Sequence, residues 1–218
     1  MNRFARKMLL TFACVSSFVG VSKGMHAPRP ALIQAVWDQD ADTVRELIAA
    51  NADINVRDAN GQTALMTAAR TANVEIMHIL LEHHADANIQ DNYYHQTALM
   101  FAADWENDHR SDVMVQALLL DGAVNTINNQ DDDGMTALMR ATLHRNFNAV
   151  QRLIISGADI LLRDNRGDMA FDIAEGNGYG ELVILLGLAV RSAVGNIVAQ
   201  EWHELPLEVL AHEIMSYL

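Results

Sequence analysis

His78, Glu82, His83 and His84 are side chains of metal-binding types that lie close together in the sequence. His78 and Glu82 are four residues apart, so a helix would place them on one face, one turn apart. A zinc site usually needs three or four converging ligands. Because no second group of ligands converges on these residues in the sequence, we expect no metal and no cofactor here.

The acidic run Asp131-Asp132-Asp133-Gly134 is a second chemical candidate. Clustered carboxylates are the ligands that Ca²⁺ prefers, but the run lacks the spacing and the final Glu of a twelve-residue calcium loop. It therefore predicts a solvated loop tip that a basic partner could contact. The sequence has no Ser-His-Asp set, phosphate-binding glycine loop or pair of catalytic carboxylates in a usable context, so we expect no enzyme.

Composition narrows the class of partner. The chain has 218 residues, and half of them are hydrophobic, which is enough for a substantial core. Lys and Arg number 15 against 28 Asp and Glu, which gives a formal net charge of -13. This charge repels phosphate backbones. We therefore expect no nucleic acid partner, but another protein, for which a basic surface is the better match.

Lysine and cysteine are rare. Lys occurs only at Lys7 and Lys23, and the single Cys is Cys14. The chain beyond Cys14 can therefore form no disulfide. The lack of Lys has two interpretations: a compositional bias, or avoidance of Lys modification in a protein that works beside a ubiquitin ligase.

Residues 1–24 have the layout of a secretory signal peptide: basic residues, an apolar run from Met8 to Val21, and Ser22-Lys23-Gly24. The apolar run is shorter than the roughly 20 residues that span a bilayer. We expect cleavage near Gly24, an exported protein that is periplasmic or secreted, and no stable membrane span after cleavage. A lipoprotein anchored through Cys14 is the alternative, although the residues before it make a poor lipobox.

Three copies of Thr-Ala-Leu-Met organise the rest of the chain, and they begin at Thr63, Thr97 and Thr136. Two apolar runs at helical spacing follow, which predicts a pair of short helices. Turn-forming residues precede the copies, as in Asp58-Ala59-Asn60-Gly61, and each Thr stands where a helix N-cap is needed. A repeat of this period predicts a solenoid in which each unit packs on its neighbours.

The pattern Asp-x-x-Gly-x-Thr-Ala-Leu-x-x-Ala-Ala, followed by Ala85-Asp86-Ala87-Asn88 at the end of the unit, resembles the ankyrin repeat. The resemblance covers residues 30–188 and implies an all-α solenoid of antiparallel helix pairs with hairpin-like loops. The expected units are 30–57, 58–90, 91–130, 131–163 and 164–188. The resemblance also places His83 and His84 at the end of a second helix, with His84 where a glycine is usual.

The first departure from the family pattern is the Met of each Thr-Ala-Leu-Met copy. The family has Pro-Leu-His after Thr, and its His forms hydrogen bonds within and between repeats. We expect Met66, Met100 and Met139 to pack as flexible apolar filler instead. The units should then be linked by fewer polar contacts and more by apolar packing.

The second departure is uneven spacing. Leu65 to Leu99 is a step of 34 residues, and Leu99 to Leu138 is a step of 39. We expect the extra residues in a longer turn, 104–112, and a longer loop, 125–133, of the third unit. Insertions within repeats often lie on the binding face.

Ankyrin domains bind partners on the concave side formed by the loop tips and the exposed face of the first helices. Carried onto this chain, the partner-binding residues are Asn60, Arg70, Tyr93, Tyr94, Phe101, Trp105, Arg140, His144 and Arg166. Aromatic and Arg side chains most often anchor interfaces, so we expect Tyr93, Tyr94 and Trp105 to form a hot spot. Phe101 and Trp105 could instead be partly buried under the turn of the third unit.

Residues 189–218 lack the ankyrin pattern, and we expect them to form a C-terminal helical tail. An early Pro and Glu residues in the first turn predict a helix start near Glu204, and one face of this amphipathic helix carries Leu207, Leu210, Ala211, Ile214 and Leu218. Leu205, Pro206 and Glu208, followed by Ile214 and Leu218, resemble the first helix of an F-box, with one extra residue before Ile214. The alternative is a helix that caps the solenoid.

These patterns together predict an exported, monomeric ankyrin repeat protein that binds a partner protein on its concave face without catalysis. The alternative function is that of a host-directed effector. In that case the F-box-like helix would make the chain a substrate adaptor of a ubiquitin ligase.

Overall fold

The computed structural model describes residues 29–106 and 109–198, and their regular structure is helical apart from one isolated bridge between Gln90 and Thr97. The first helices of five antiparallel pairs are α1 (Ala31–Trp37), α3 (Ala64–Arg70), α5 (Ala98–Ala103), α7 (Ala137–Leu143) and α9 (Ala170–Gly176). The second helices are α2 (Ala41–Ala49), α4 (Val74–Glu82), α6 (His109–Leu120), α8 (Phe147–Ile155) and α10 (Gly180–Val198). A 3-10 turn, Ala123–Thr126, follows α6.

The pairs stack in two layers. Each first helix contacts the first helix of the next pair, and each second helix likewise contacts the next second helix. One continuous hydrophobic core runs between the layers from Leu32 to Val190. This architecture confirms the prediction of an all-α solenoid.

The predicted N-caps determine where the helices begin. The hydroxyls of Thr63, Thr97 and Thr136 each accept a hydrogen bond from the backbone N–H three residues on, at 3.2 to 3.3 Å. Asn73 and Asn146 cap the second helices α4 and α8 in the same way. Each cap satisfies one of the backbone donors that a helix leaves unpaired at its start.

Met66, Met100 and Met139 are buried, as predicted. Two of them also form hydrogen bonds, which was not expected of apolar filler. The sulfurs of Met66 and Met139 lie 3.5 Å from the backbone nitrogens of Thr63 and Thr136 and accept hydrogen bonds from them. A thioether sulfur can accept a hydrogen bond, although weakly. The Met side chain therefore completes the cap and also fills the core.

Polar side chains link neighbouring units at the loops. Arg57 donates to the carbonyl of Gln90 at the end of the next unit and to the side chain of Asn92 just beyond it. Gln130 donates to the carbonyl of Arg163 in the same manner. Side chains one repeat apart face each other at the loops, so these polar links accompany the apolar packing between the units.

The extra residues of the third unit do not lie in the long turn that we expected between its helices. The second helix α6 already begins at His109 and has 12 residues, against nine in α2, α4 and α8. The loop that follows contains the 3-10 turn Ala123–Thr126. Ser111 is buried and donates to the carbonyl of Ala102 at 2.9 Å, which holds the start of α6 against α5.

The last helix extends beyond the expected end of the repeats. The expected fifth unit ends at residue 188, whereas α10 runs from Gly180 to Val198 because its apolar pattern continues through the buried Val190. Within the described residues no helix combines the length and the apolar character needed to cross a bilayer. The signal-peptide prediction for residues 1–24 and the F-box-like residues 205–218 lie outside the described residues.

Candidate partner-binding surface

Main-chain hydrogen bonds join the loop tips of the second to fifth units. The N–H of Asn92 donates to the carbonyl of Asn60 at 2.8 Å, and that of Asp132 donates to the carbonyl of Tyr94 at 3.0 Å. The N–H of Asn165 in the fifth unit donates in turn to the carbonyl of Asp133 at 3.0 Å. The tips therefore form one continuous edge, which we call the tip ladder. Ordered tips of this kind can present side chains in fixed positions to a partner.

The close approach of the tips leaves no room for a side chain at Gly61. Gly61 has φ +75°, and a Cβ added to it would lie 2.6 Å from Cγ of Asn92. In the third unit His95 occupies this position at φ 56°. Its Nδ1 lies 2.6 Å from a carboxylate oxygen of Asp132, so the side chain points along the ladder toward the next tip.

Tyr93 and Tyr94 are the most prominent aromatic side chains of the ladder. They are 63% and 48% exposed, and their rings meet edge to face with centroids 4.4 Å apart. Asp91 holds the loop by accepting hydrogen bonds from the backbone N–H of Tyr94 and Gln96, both at 3.0 Å. A hydrogen bond with Tyr93 raises the pKa of Tyr94. The pair can therefore offer two aromatic faces from an ordered loop.

Acidic side chains border the tyrosine pair. Asp132 and Asp133 are exposed on the next tip, and the backbone of Asp132 is bonded to Tyr94. Aromatic faces and carboxylates both attract guanidinium and ammonium groups. The arrangement thus suits a basic side chain.

Arg140 lies on the first-helix layer inside an ionic network. Its guanidinium contacts both carboxylate oxygens of Asp104 at 3.0 Å, and its Nε lies 2.9 Å from Asp131. Only 13% of the Arg140 side chain is exposed. Burial raises the pKa of Asp104, although the charge of Arg140 opposes the shift. Arg140 therefore links the third and fourth units and offers little surface to a partner.

Phe101 and Trp105 are held by the fold. Phe101 is 8% exposed and belongs to the core. Trp105 is half-buried, its indole N–H donates to the carbonyl of Ala69 at 3.0 Å, and its own carbonyl accepts from Asn146 at 2.9 Å. Phe101 is therefore buried in the core, and Trp105 is partly buried.

The expected hot spot is divided between two places. Tyr94 precedes α5 and Trp105 follows it, and a helix of six residues is about 9 Å long. Tyr93 and Tyr94 belong to the tip ladder, whereas Trp105 lies against the preceding unit at Ala69.

The remaining candidate residues lie either at loop tips or at the ends of first helices. Asn60 and Arg166 are exposed at loop tips. Arg70 is exposed at the end of α3 and lies over the ring of Trp37, with its Cζ 4.5 Å from the centroid. Burial, with a contribution from the positive charge of Arg29, lowers the pKa of Arg70. His144 lies at the end of α7 with Nε2 3.7 Å from Asp104.

A cleft of about 560 Å³ opens beside His144, between the fourth and fifth units. Leu143, Arg145, Phe147 and Tyr179 contribute to its walls, and the Arg145 guanidinium lies over the Tyr179 ring at 5.8 Å. Glu106 and Glu181 add negative charge. Across the described ranges, no group of three or more His, Cys, Asp or Glu side chains could hold a metal ion.

Sequence reasoning missed the Asp104–Arg140–Asp131 network. Asp104 and Arg140 are 36 residues apart, which is close to one repeat length, and so are Arg57 and Asn92 at 35. Residues one repeat apart are neighbours in a solenoid. Opposite charges at that separation were therefore a usable signal.

Comparison with known proteins agrees with this architecture. A family model for ankyrin repeats in three copies matches residues 32–124, and a second ankyrin model, of many copies, matches residues 113–174. The matches overlap in the third unit, so they cover the repeats almost from end to end. Ankyrin repeats are protein-interaction modules and are generally not catalytic.

Several curated proteins are similar over much of the chain. The mitochondrial disaggregase of Bos taurus is 31% identical over 166 residues, which cover 76% of this chain and 23% of that protein. The B-cell lymphoma 3 protein homolog of Mus musculus is 32% identical over 77% of this chain and 34% of that protein. The chain thus spans less than half the length of these relatives.

A shorter relative is matched over most of its own length. An ankyrin repeat protein of Rickettsia felis is 46% identical over 46 residues, which cover 21% of this chain and 73% of that protein. Stacked helix pairs, capped first helices and joined loop tips accompany these matches. The chain therefore belongs to the ankyrin repeat family.

Proposed function

We propose that the chain binds a partner protein without catalysis, on the concave side formed by the tip ladder and the adjoining first helices. The supporting observation is the exposed Tyr93–Tyr94 pair on a hydrogen-bonded loop. Burial of two large aromatic side chains against a partner supplies much of the energy of a typical interface. The acidic neighbours Asp132 and Asp133 favour a partner with a basic surface.

The test is capture of a partner by the full chain and by the double variant Tyr93→Ala/Tyr94→Ala. We expect at least a tenfold loss of captured partner, since hot-spot truncations cost about 2 kcal/mol or more. Glu82→Ala, which alters an exposed residue of α4 in the other layer, should capture as well as the wild type. Unchanged capture by the tyrosine variant, with an unchanged melting temperature, would reject the tip ladder as the binding surface.

Export is a second part of the proposal, supported by the signal-peptide layout of residues 1–24. In this view the protein acts outside the cytoplasm as a monomeric scaffold or protective partner of another protein. Fractionation of the source cells, with mass spectrometry of the mature N-terminus, tests it. A cytoplasmic protein that retains Met1 to Gly24 would exclude export through this leader.

The absence of Lys after Lys23 favours a second candidate function, that of a ubiquitin-ligase substrate adaptor. The F-box-like residues from Leu205 to Leu218 would bind the ligase scaffold. Affinity capture from host lysate should then recover a ligase scaffold with the full chain and lose it with a chain that ends before Glu204. Recovery of no scaffold in either case would exclude this function.

A further inference from the structure

Three exposed apolar residues occupy the same position in the third, fourth and fifth units. Leu120 and Ile155 each stand two residues before a glycine of positive φ, Gly122 and Gly157, and they are 80% and 79% exposed. Leu188 is 47% exposed. It lies ten residues after the positive-φ Gly178, just as Ile155 lies ten residues after the positive-φ Arg145.

These side chains form a line across the second-helix layer, because α6 packs on α8 and α8 packs on α10. Packed helices lie about 8 to 10 Å apart, so the line is about 16 to 20 Å long. Ile184, one turn before Leu188, is 49% exposed and widens it. We call Leu120, Ile155, Ile184 and Leu188 the apolar stripe.

The stripe is confined to the last three units. The equivalent residues of the first two units are Ala49 and Glu82, both exposed. The position is therefore at the surface in every unit, and only the C-terminal half places a large apolar side chain there. Contiguous exposed apolar groups of this kind mark surfaces that another element covers.

We propose that residues 204–218 of the same chain cover the apolar stripe as an amphipathic helix. These residues lie outside the described ranges, and their sequence carries the matching pattern: Leu207, Leu210, Ala211, Ile214 and Leu218 recur at helical spacing. A helix of 15 residues is about 22 Å long. That length matches the stripe from Leu120 to Leu188.

The connection to α10 allows this position. The ten residues from Leu188 to Val198 carry the chain about 15 Å along the helix beyond the stripe. Residues 199–203 can span at most about 17 Å when extended, which is enough to return to Leu188. Because the segment is tethered, its effective concentration at the stripe is in the millimolar range. A separate molecule would need a high affinity to compete.

Charge favours the same occupant. Residues 199–218 contain four Glu and no Lys or Arg. Arg191 follows Leu188 by three residues on α10 and is only partly buried. Glu side chains of the docked segment would therefore meet a positive group at the Leu188 end of the stripe.

The test is hydrogen exchange of the full chain, followed by mass spectrometry of peptides from residues 204–218. Slowed exchange is expected in the wild type, and Ile155→Asp should accelerate it at least tenfold, because a charge at the centre of the stripe opposes docking. Ala49→Asp introduces the same charge at the equivalent position of the first unit and should leave the exchange unchanged. Exchange at the rate of an unstructured peptide in the wild type would overturn the proposal, as would equal effects of the two variants.

A cross-link provides an independent measurement. In a Cys14→Ser background, Ile155→Cys with Leu210→Cys should form a disulfide within one chain on mild oxidation, whereas Ala49→Cys with Leu210→Cys should not. Sedimentation of the wild type identifies the rival occupant. A dimer that Ile155→Asp dissociates, with cross-links between chains only, would show that a second copy covers the stripe and would overturn the proposal.

Discussion

His84 stands at a backbone position that favours glycine. Its φ is 63°, and the equivalent residues of the next two units are Gly122 and Gly157, with φ 104° and 89°. A residue with a Cβ in this left-handed region costs about 1 kcal/mol or more. Glu82, His83 and His84 are side chains of metal-binding types, and they lie at the end of α4.

We expect His84→Gly to raise the free energy of unfolding by about 1 kcal/mol, because it removes the strain of a positive φ. Urea denaturation measures the change. Gly157→Ala is the converse control: an added Cβ would meet no atom within 4 Å, so only the backbone cost remains and a loss of about 1 kcal/mol is expected. If His84→Gly gives no stabilisation while Gly157→Ala still gives the loss, His84 makes a contact that compensates for its backbone strain.

Asp104 makes the stability of the fold depend on pH. Burial raises the pKa of its carboxyl group, and the positive charge of Arg140 opposes this shift. Because the pKa of Asp104 is raised in the folded state, the folded chain binds the proton more tightly than the unfolded chain. Its contribution to stability is therefore fully present below the unfolded pKa of about 3.9 and is lost as the pH rises through the folded value. Asp104→Asn removes this titration.

We expect the stability of the wild type, relative to Asp104→Asn, to fall as the pH rises from about 4 toward neutrality. Urea midpoints of both proteins across this range provide the measurement, and the difference between them cancels the titration of all other groups. A difference that grows with pH would mean that attraction by Arg140 outweighs burial.

At the scale of elements, the third unit depends on one buried side chain of the fourth. Asn146 caps α8 through its carbonyl oxygen, at 3.1 Å from the N–H of Ala149. Its amide nitrogen donates to the carbonyl of Trp105 and to the hydroxyl of Ser111. The same side chain therefore starts one helix and holds the insertion of the preceding unit.

We expect Asn146→Ala to lower the free energy of unfolding by about 2 to 3 kcal/mol, since it removes a cap and leaves buried polar groups unpaired. Asn73→Ala is the matched control, because Asn73 caps α4 through Ile76 at the same position of the second unit. A loss of only about 1 kcal/mol is expected there. Equal losses in thermal or urea unfolding would contradict the role of Asn146 between units.

At the scale of the whole molecule, the periodic pattern was sufficient to predict the helix pairs and their order. Thr63, Thr97 and Thr136 stand at fixed positions of the repeat, and local physics alone makes them caps. The course of the third unit was not predictable in this way. His109 to Asp112 look like turn residues, and they are helical because Ser111 and Asp112 bond to other elements, namely Ala102 and Arg152.

The candidate surface was predictable only in part, for a related reason. Tyr93 and Tyr94 are exposed because their loop projects at the edge, which follows from the repeat pattern. Phe101, Trp105 and Arg140 occupy comparable surface positions in the family pattern, but their exposure depends on what the neighbouring unit places beside them. Phe101 lies in the core, and the Trp105 indole donates to the carbonyl of Ala69. Arg140 is paired with Asp104 of the preceding unit and with Asp131 of its own unit.

The tip ladder has a consequence for how this surface can change. Its bonds from Asn92, Asp132 and Asn165 use backbone N–H and carbonyl groups, which every residue except proline provides. The residue type is restricted at Gly61 and Gly134, where a Cβ would clash with the next tip, and at Asp91, whose side chain holds its loop. The exposed tip side chains can therefore diversify at little cost to folding. Libraries randomised there, with the glycines kept, should yield folded binders with new specificities.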